Sequence, residues 1–415
     1  MPLWILLSDF LHDLRAQKTR AFLTTFAITW GTIAIVLMMA FGQGFRYRMI
    51  TAMTNAGNMI IRIYGGQTSK KYQGLPEGRW ISFTEQDAYT LLQSIPQIKE
   101  VSPSYGRWGI RLKYGKNTAS TYLEAVFPNF ELLRTMYPKQ GGRFLNDLDM
   151  KEKRRVIFLG SEVTKELFGN ENAIGRQVEL DGVPFTIIGV MQKKMQMGMS
   201  NGPDDRRAII PFTTFESLYP HRYLRMITVQ PNPNSNTEAI KAEIYRVLGR
   251  KLRFDASDKN ALGMWDFVTN AREMNKVFVG IQIFLGVIGG LTLLVAGVGV
   301  ANIMYVVVKE RTREIGIKLA VGAKTRHIVA QFIFESLLIS IIGGAIGITI
   351  SLLIVKLVGM MPVENEGLAY LGKPEISTFI LFFTVFVLSA IGLVAGVFPA
   401  RRAARLDPVE SLRYE

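Results

Sequence analysis

The sequence predicts a membrane protein: four transmembrane α-helices with a large α+β extracytoplasmic domain inserted between helices 1 and 2. Three observations predict it. Apolar residues crowd into the two ends of the chain, they fall into four long runs almost free of charge, and the stretch between the first two runs reads as an ordinary globular mixture.

The first run, residues 21–45, carries no charged side chain and exceeds the roughly 20 residues that cross a bilayer as a helix. It is too long for the apolar region of a signal peptide and no A-x-A-like cleavage site follows, so it reads as an uncleaved anchor. The second span, residues 276–308, is charge-free from Val277 onward; from there a helix measures about 48 Å, well beyond the roughly 30 Å hydrocarbon core. A helix-compatible segment from Phe267 to Lys276 precedes it, so the excess is expected to form a stalk. The third span, residues 328–357, is interrupted by Glu335, and the fourth covers residues 377–400.

Orientation follows from the short flanks, because long domains cross largely regardless of charge. Arg15, Lys18 and Arg20 lie in the N-terminal amphipathic segment, residues 1–20, and Arg401, Arg402, Arg405 and Arg413 in the tail, residues 401–415. The loop between spans two and three, residues 309–327, adds Lys309, Arg311, Arg313, Lys318, Lys324 and Arg326. The other short loop, residues 358–376, has Glu364, Glu366 and Glu375 against Lys373. Both termini and the basic loop are therefore expected in the cytoplasm and residues 46–275 outside, as in a multi-pass protein of a bacterial inner membrane. This asymmetry accounts for part of the formal net charge of +15 without invoking nucleic acid.

Within the inserted domain, residues 64–78 read as a loop. Ser82 to Asp87 opens a helix that closes near Ile95-Pro96, and residues 161–168 form another, stopped by Gly169. Strands are expected at 109–114, 121–127, 155–159, 177–180, 183–190, 208–212 and 226–230, with Asp181-Gly182 as a two-residue hairpin turn and an amphipathic helix over 237–248. An α+β domain in two lobes follows.

Chemistry is sparse. The chain has no cysteine and three histidines, and His221, the one in the outer domain, lacks an acidic partner at metal-ligand spacing. No serine-nucleophile elbow on a strand-to-helix turn stands out. Met191, Met195, Met197 and Met199 admit a thioether site for Cu(I), though a flexible apolar loop that touches a partner is the plainer reading. Within these 415 residues there is no G-x-x-x-x-G-K-[ST], and Gly297-x-Gly299 lies inside a span, where close helix packing explains it. Glu335 is an intramembrane acid about 12 Å along the helix from His327. A proton relay is the sharp reading; a buried acid paired near the interface is the one favoured.

The stretch Glu310-Arg311-Thr312-Arg313-Glu314-Ile315-Gly316-Ile317-Lys318-Leu319-Ala320-Val321-Gly322-Ala323, followed by Gln331-Phe332 and Glu335, resembles the signature of MacB/FtsX-type ABC transporter permeases. So does the ending Pro399-Ala400-Arg401-Arg402-Ala403-Ala404-Arg405-Leu406-Asp407-Pro408, and the outer segments around Leu159-Gly160, Leu167-Phe168-Gly169 and Ile188-Gly189-Val190 are similar to the family's periplasmic core. The resemblance implies a permease that is not itself an enzyme, binds no cofactor, and is coupled to a separate pair of ATPase subunits holding ATP and Mg. It implies that residues 309–327 form a coupling helix, with Glu314, Ile315 and Gly316 as contacts and Arg313 as charged neighbour. The small residues Gly316, Ala320, Gly322 and Ala323 permit close approach. A second permease copy (a homodimer or a paralogous partner), membrane lipid, and a periplasmic adaptor with an outer-membrane channel complete the expected set of partners.

Mechanotransmission driving export of a periplasmic or membrane-derived substrate is the function implied. Lipoprotein release and an FtsX-like signal relay to a cell-wall hydrolase are the alternatives. Topology can be tested directly, since introduced cysteines are unique in this chain. A cysteine at Lys116 is expected to react with an impermeant maleimide in spheroplasts, and one at Lys318 only after lysis; the opposite pattern reverses the orientation.

Overall fold

The computed structural model describes residues 18–57, 59–196, 201–220, 222–361 and 372–403 and divides into two compact units, one made of Met49–Asn275 and the other of the flanking chain. Most of the N-terminal segment 1–20 and of the tail, part of the 358–376 loop, and Met197, Met199 and His221 lie outside the described residues. Helix α1, Lys18–Thr54, contains the first apolar run and continues beyond the expected end at residue 45. Packing, not hydropathy, extends it: Met49 and Ala52 are buried although Arg46 and Arg48 lower the local apolar character.

The inserted domain opens on β1 (Ile61–Gly65) and α2 (Glu85–Ser94). Thr84 starts α2 by donating its N–H and hydroxyl to Asp87 at 2.7 and 2.8 Å. Next come β2 (Ile98–Tyr114), β3 (Asn117–Val126), the short helices α3 (Phe130–Leu133) and α4 (Asp147–Lys151), β4 (Val156–Leu159) and α5 (Ser161–Phe168). The hairpin of β5 (Gln177–Leu180) and β6 (Val183–Val190) turns at Asp181 (φ 47°) and Gly182 (φ 84°), the two left-handed positions that an Asp-Gly turn supplies. β7 (Arg207–Pro211), α6 (Phe212–Leu218), β8 (Met226–Pro231), α7 (Thr237–Leu252) and β9 (Leu262–Asp266) complete the domain.

Strand pairing forms two groups. β3, β7, β4, β6, β5 and β2 pair in that order and close on themselves through β2–β3. The N-terminal half of β2 continues into an antiparallel set, β2-β8-β1-β9. β2 therefore belongs to both groups, and its register shifts between Arg107 and Ile110, where Gly109 takes a φ of 71°.

Three expectations need correction, and the strand β9 was not anticipated. Residues 64–78 are not all loop, because β1 reaches Gly65; β1 carries Arg62 at its centre, which masks its apolar pattern. β9 is short and ends in Asp266, so it too escapes the pattern. The strand expected at 109–114 begins at Ile98, since Ser102-Pro103-Ser104 mimics a break. Pro103 lies before β2 gains β3 as a second neighbour, where a missing N–H is tolerated. Phe212 starts α6 instead of ending β7, with Pro211 capping the helix.

The remaining helices are α8 (Phe267–Glu310), α9 (Thr312–Ala320), α10 (Thr325–Met360) and α11 (Thr378–Ala403). α8 is one continuous helix of 44 residues, about 66 Å long, so stalk and span are a single element. Helices α1, α8, α10 and α11 are all long and apolar enough to cross a membrane. Where they meet, small residues sit at the crossings, as expected when lipid removes the hydrophobic drive for helix association. Gly343 and Gly347 of α10 lie against Ile28 and Thr32 of α1, and Thr29 donates to the Gly343 carbonyl at 3.1 Å. Gly392 and Gly396 of α11 face Ser340 and Ser336 of α10. Gly297 packs against Ile391, whereas Gly299 meets open space. Val295, Val298, Phe382 and Phe386 point outward, the surface that acyl chains solvate.

A side chain at Gly347 has no room: its Cβ would come within 2.6 Å of the Thr32 Cβ. Gly347→Leu is expected to separate α1 from α10 and cost about 1–3 kcal/mol, read as a lower midpoint in SDS unfolding of the detergent-solubilised protein. Gly299→Leu, in open space, should leave the midpoint unchanged.

Candidate functional site

α8 ends at Glu310, and Arg311, with φ −95° and ψ 13°, turns the chain into α9. The other end of α9 is equally defined. Gly322 adopts φ 95°, its N–H donates to the Leu319 carbonyl at 3.0 Å, and the Ala323 N–H reaches back to the Lys318 carbonyl at 2.9 Å. This is a Schellman stop, which requires a residue free to enter the left-handed region. Lys324 then caps α10. The expected coupling helix over 309–327 is thus a nine-residue helix held between two turns.

Amphipathicity divides the signature residues. Ile315 is 3% exposed and packs among Ile328 and Phe332 of α10, and Gly316 is buried beside it. Both face the helical bundle, so the expectation that they contact a docked protein is corrected. Arg313, Glu314 and Ala320 face outward, and Ala323 is half-buried behind the stop. Sequence reasoning missed the apolar part of the outward face: Ile317 is 47% and Val321 85% exposed, one helical turn apart. The (i, i+4) spacing was the available signal. Ile317, Val321, Gly322, His327 and Gln331 line a shallow groove of about 440 Å³.

Arg311 links this helix to the third span. Its guanidinium lies 3.0 Å from Glu314 and 3.5 Å from Glu335, and Gln331 donates to Glu335 at 3.1 Å. Glu335 is 5% exposed. These are the partners a carboxylate needs at the edge of a low-dielectric region, and they favour the paired structural acid over a proton relay. Burial alone would raise the Glu314 carboxyl, but its bonds to Lys318 at 2.7 Å and Arg311 hold it below the ordinary glutamate range. Glu314 therefore stays ionised at neutral pH. Arg402, in the last turn of α11, stacks over the Tyr305 ring of α8 at 4.6 Å.

Among the described residues no cluster of three or more His, Cys, Asp or Glu could hold a metal. Of the methionine run, Met191 is buried in an apolar cluster with Phe144, Phe158 and Ile209, and Met195 is half-buried. Met191 is thus a core side chain and not part of a flexible loop.

Removing Arg311 takes away the cation that lies 3.5 Å from Glu335. Arg311→Met is expected to destabilise the protein by about 1–3 kcal/mol in SDS unfolding, and the double variant Arg311→Met/Glu335→Leu to recover most of that loss. Additive losses in the double variant would show that the two residues do not interact.

Family models match the chain in two places: the MacB-like periplasmic core domain over residues 21–247, and the FtsX-like permease C-terminal domain over residues 286–408. The macrolide export ATP-binding/permease protein MacB of Bdellovibrio bacteriovorus is 30% identical over 97% of this chain and 61% of its own length. The MacB of Wolinella succinogenes is 32% identical over 97% of this chain and 60% of its own. The chain thus spans about three fifths of the length of these relatives. The crystal structure of the periplasmic region of MacB from Actinobacillus actinomycetemcomitans aligns with 54% of the chain at 20% identity and a TM-score of 0.42. On the first model alone, which takes in more than half of its residues, this multi-pass inner-membrane protein belongs to the MacB/FtsX-type ABC transporter permeases.

Proposed function

We propose that the chain is the permease part of an exporter driven by an ATPase that lies outside these 415 residues and docks on the outward face of α9. One observation carries the reading: α9 presents an apolar pair, Ile317 and Val321, among exposed Arg313, Glu314, Lys324 and Arg326, while its other face is built into the bundle. A solvated positive loop needs the basic residues but gains nothing from exposing two β-branched side chains to water. A protein partner with an apolar groove and acidic rim accounts for both.

The bracing sets the mechanics. Force applied to α9 passes through Arg311 to Glu335 in α10 and through the peptide chain to α8, which runs unbroken to Phe267 at the edge of β9. We read this as mechanotransmission. ATP and Mg bind on the ATPase, a pair of ATPases closes, and two permease copies carry the displacement along α8 and α1 to the inserted domains. With both termini and α9 in the cytoplasm, those domains work on the periplasmic side, where an adaptor and outer-membrane channel receive the cargo. The relatives are named for macrolide export, so a macrolide is a first cargo to try.

Affinity capture from native membranes is expected to recover a P-loop ATPase with the wild-type chain. Val321→Asp and Glu314→Arg should lower that recovery about tenfold while insertion and folding persist. Gly316→Trp is a poor probe of docking, because Gly316 is buried. Undiminished recovery with both outward-face variants would rule out α9 as the docking element.

A further inference from the structure

α1 ends at Thr54, and the carbonyls of a helix end must find partners. The Thr51, Met53 and Thr54 carbonyls take the N–H groups of Asn55, Ala56 and Gly57, and the next two carbonyls meet cations. The Asn55 carbonyl accepts from Lys194 Nζ at 2.8 Å and from the Thr135 hydroxyl at 3.0 Å, and the Ala56 carbonyl accepts from Arg134. The Asn55 side chain in turn donates to the Met195 carbonyl at 2.9 Å. Positive charge at this end complements the helix dipole, but such residues normally keep access to water, and the Arg134 side chain has none.

The same cations begin a chain of charge that crosses the domain. Asp204 receives Arg134 at 2.5 Å, Lys194 at 2.9 Å and Arg207 Nε at 3.1 Å. Arg207, at the start of β7, also bonds Glu124 of β3, and Glu124 bonds Arg62 of β1. The closed strand group and the antiparallel group are therefore tied by one buried network. Arg134 makes a further contact: its guanidinium lies over the ring of Phe267, 5.8 Å from the centroid, and Phe267 is the first residue of α8. One side chain thus touches the chain just past the end of α1, the start of α8 and the network.

Among the described residues this largely buried network sets four cations against two carboxylates, a costly way to fill space. Apolar side chains of similar volume would serve stability as well or better, whereas removing one partner of such a network is severely destabilising. What the charges add is direction, since each bond fixes where its neighbour sits. We infer that Arg134 is the coupling residue of the inserted domain, the point at which both membrane-entering helices are fastened to the strand framework. The inference rests on the reading that α1 and α8 carry motion, and it supplies the joint that reading lacks.

The test uses the full chain in nanodiscs, without an ATPase. Cysteines replacing Met53, in the last turn of α1, and Lys116, in the exposed turn between β2 and β3, take spin labels in a chain with no other cysteine. Arg134→Leu is expected to widen the distance distribution about twofold, with Arg134→Lys between it and wild type, while amide exchange in β3, β4, β6 and β7 stays slow. An unchanged width overturns the inference; so does loss of protection throughout the ring, which would make Arg134 a folding residue only.

A second measurement needs no change at Arg134. Burial, with Arg134 and Arg207 adding to it and Asp204 opposing, brings the Lys194 ammonium down to about 8. Raising the pH to about 9 should remove its proton and widen the wild-type distribution, but not that of Lys194→Met; equal responses in the two overturn the inference. If the width depends on Arg134 yet ATP never shifts the label pair once the captured ATPase is added, the joint stands and the transmission reading falls.

Discussion

The interior of a bilayer offers no hydrogen-bond partner, and that single constraint shapes the membrane unit throughout. Each span must satisfy its own backbone, so each is one unbroken helix. Several hydroxyls within them turn back to the preceding turn: Thr32 to the Ile28 carbonyl at 2.8 Å, Ser351 to Gly347 at 2.8 Å and Thr384 to Ile380 at 2.7 Å. Association cannot rest on hiding apolar surface from water, so it rests on glycine and serine at the crossings. The one carboxylate within a span is acceptable because Gln331 and Arg311 meet it. Arg311 in turn fixes where α9 sits. A solvation rule thereby positions a surface helix.

The two halves of the molecule were unequally legible. Four spans follow from hydropathy alone because a charge-free run of that length has few other uses. Strand positions in the inserted domain were mostly legible where apolar residues alternate, as in Val183–Val190, and failed where function or burial breaks the pattern. β1 is the clearest case. Its central residue is an arginine, which a periodicity argument counts against a strand, yet Arg62 is fully buried against Glu124. The network to which it belongs draws on residues 62, 124, 134, 194, 204 and 207. No spacing rule joins positions so far apart, because the fold brings them together and not the local chain.

The loop signature shows a different limit. A run of recognisable residues invites the view that all of them touch a partner. The structure divides the labour. Gly322 and Ala323 terminate a helix, Ile315 and Gly316 seat it, Arg311 braces it, and only the remainder faces outward. Sequence resemblance marks the element correctly without saying which of its residues are scaffold, since both classes are equally constrained.

The closed group of six strands has a consequence for the company the domain can keep. A sheet edge exposes unpaired N–H and C=O groups to which another chain can add a strand. The ring β3-β7-β4-β6-β5-β2 has no such edge, so a protein or peptide meeting that part must be held by side chains and loops. The other end of the strand order terminates at β9, five residues long and continuing directly into α8. β9 is one short edge open to backbone-to-backbone recruitment, and any strand added there would lie beside the root of α8, the longest of the described helices.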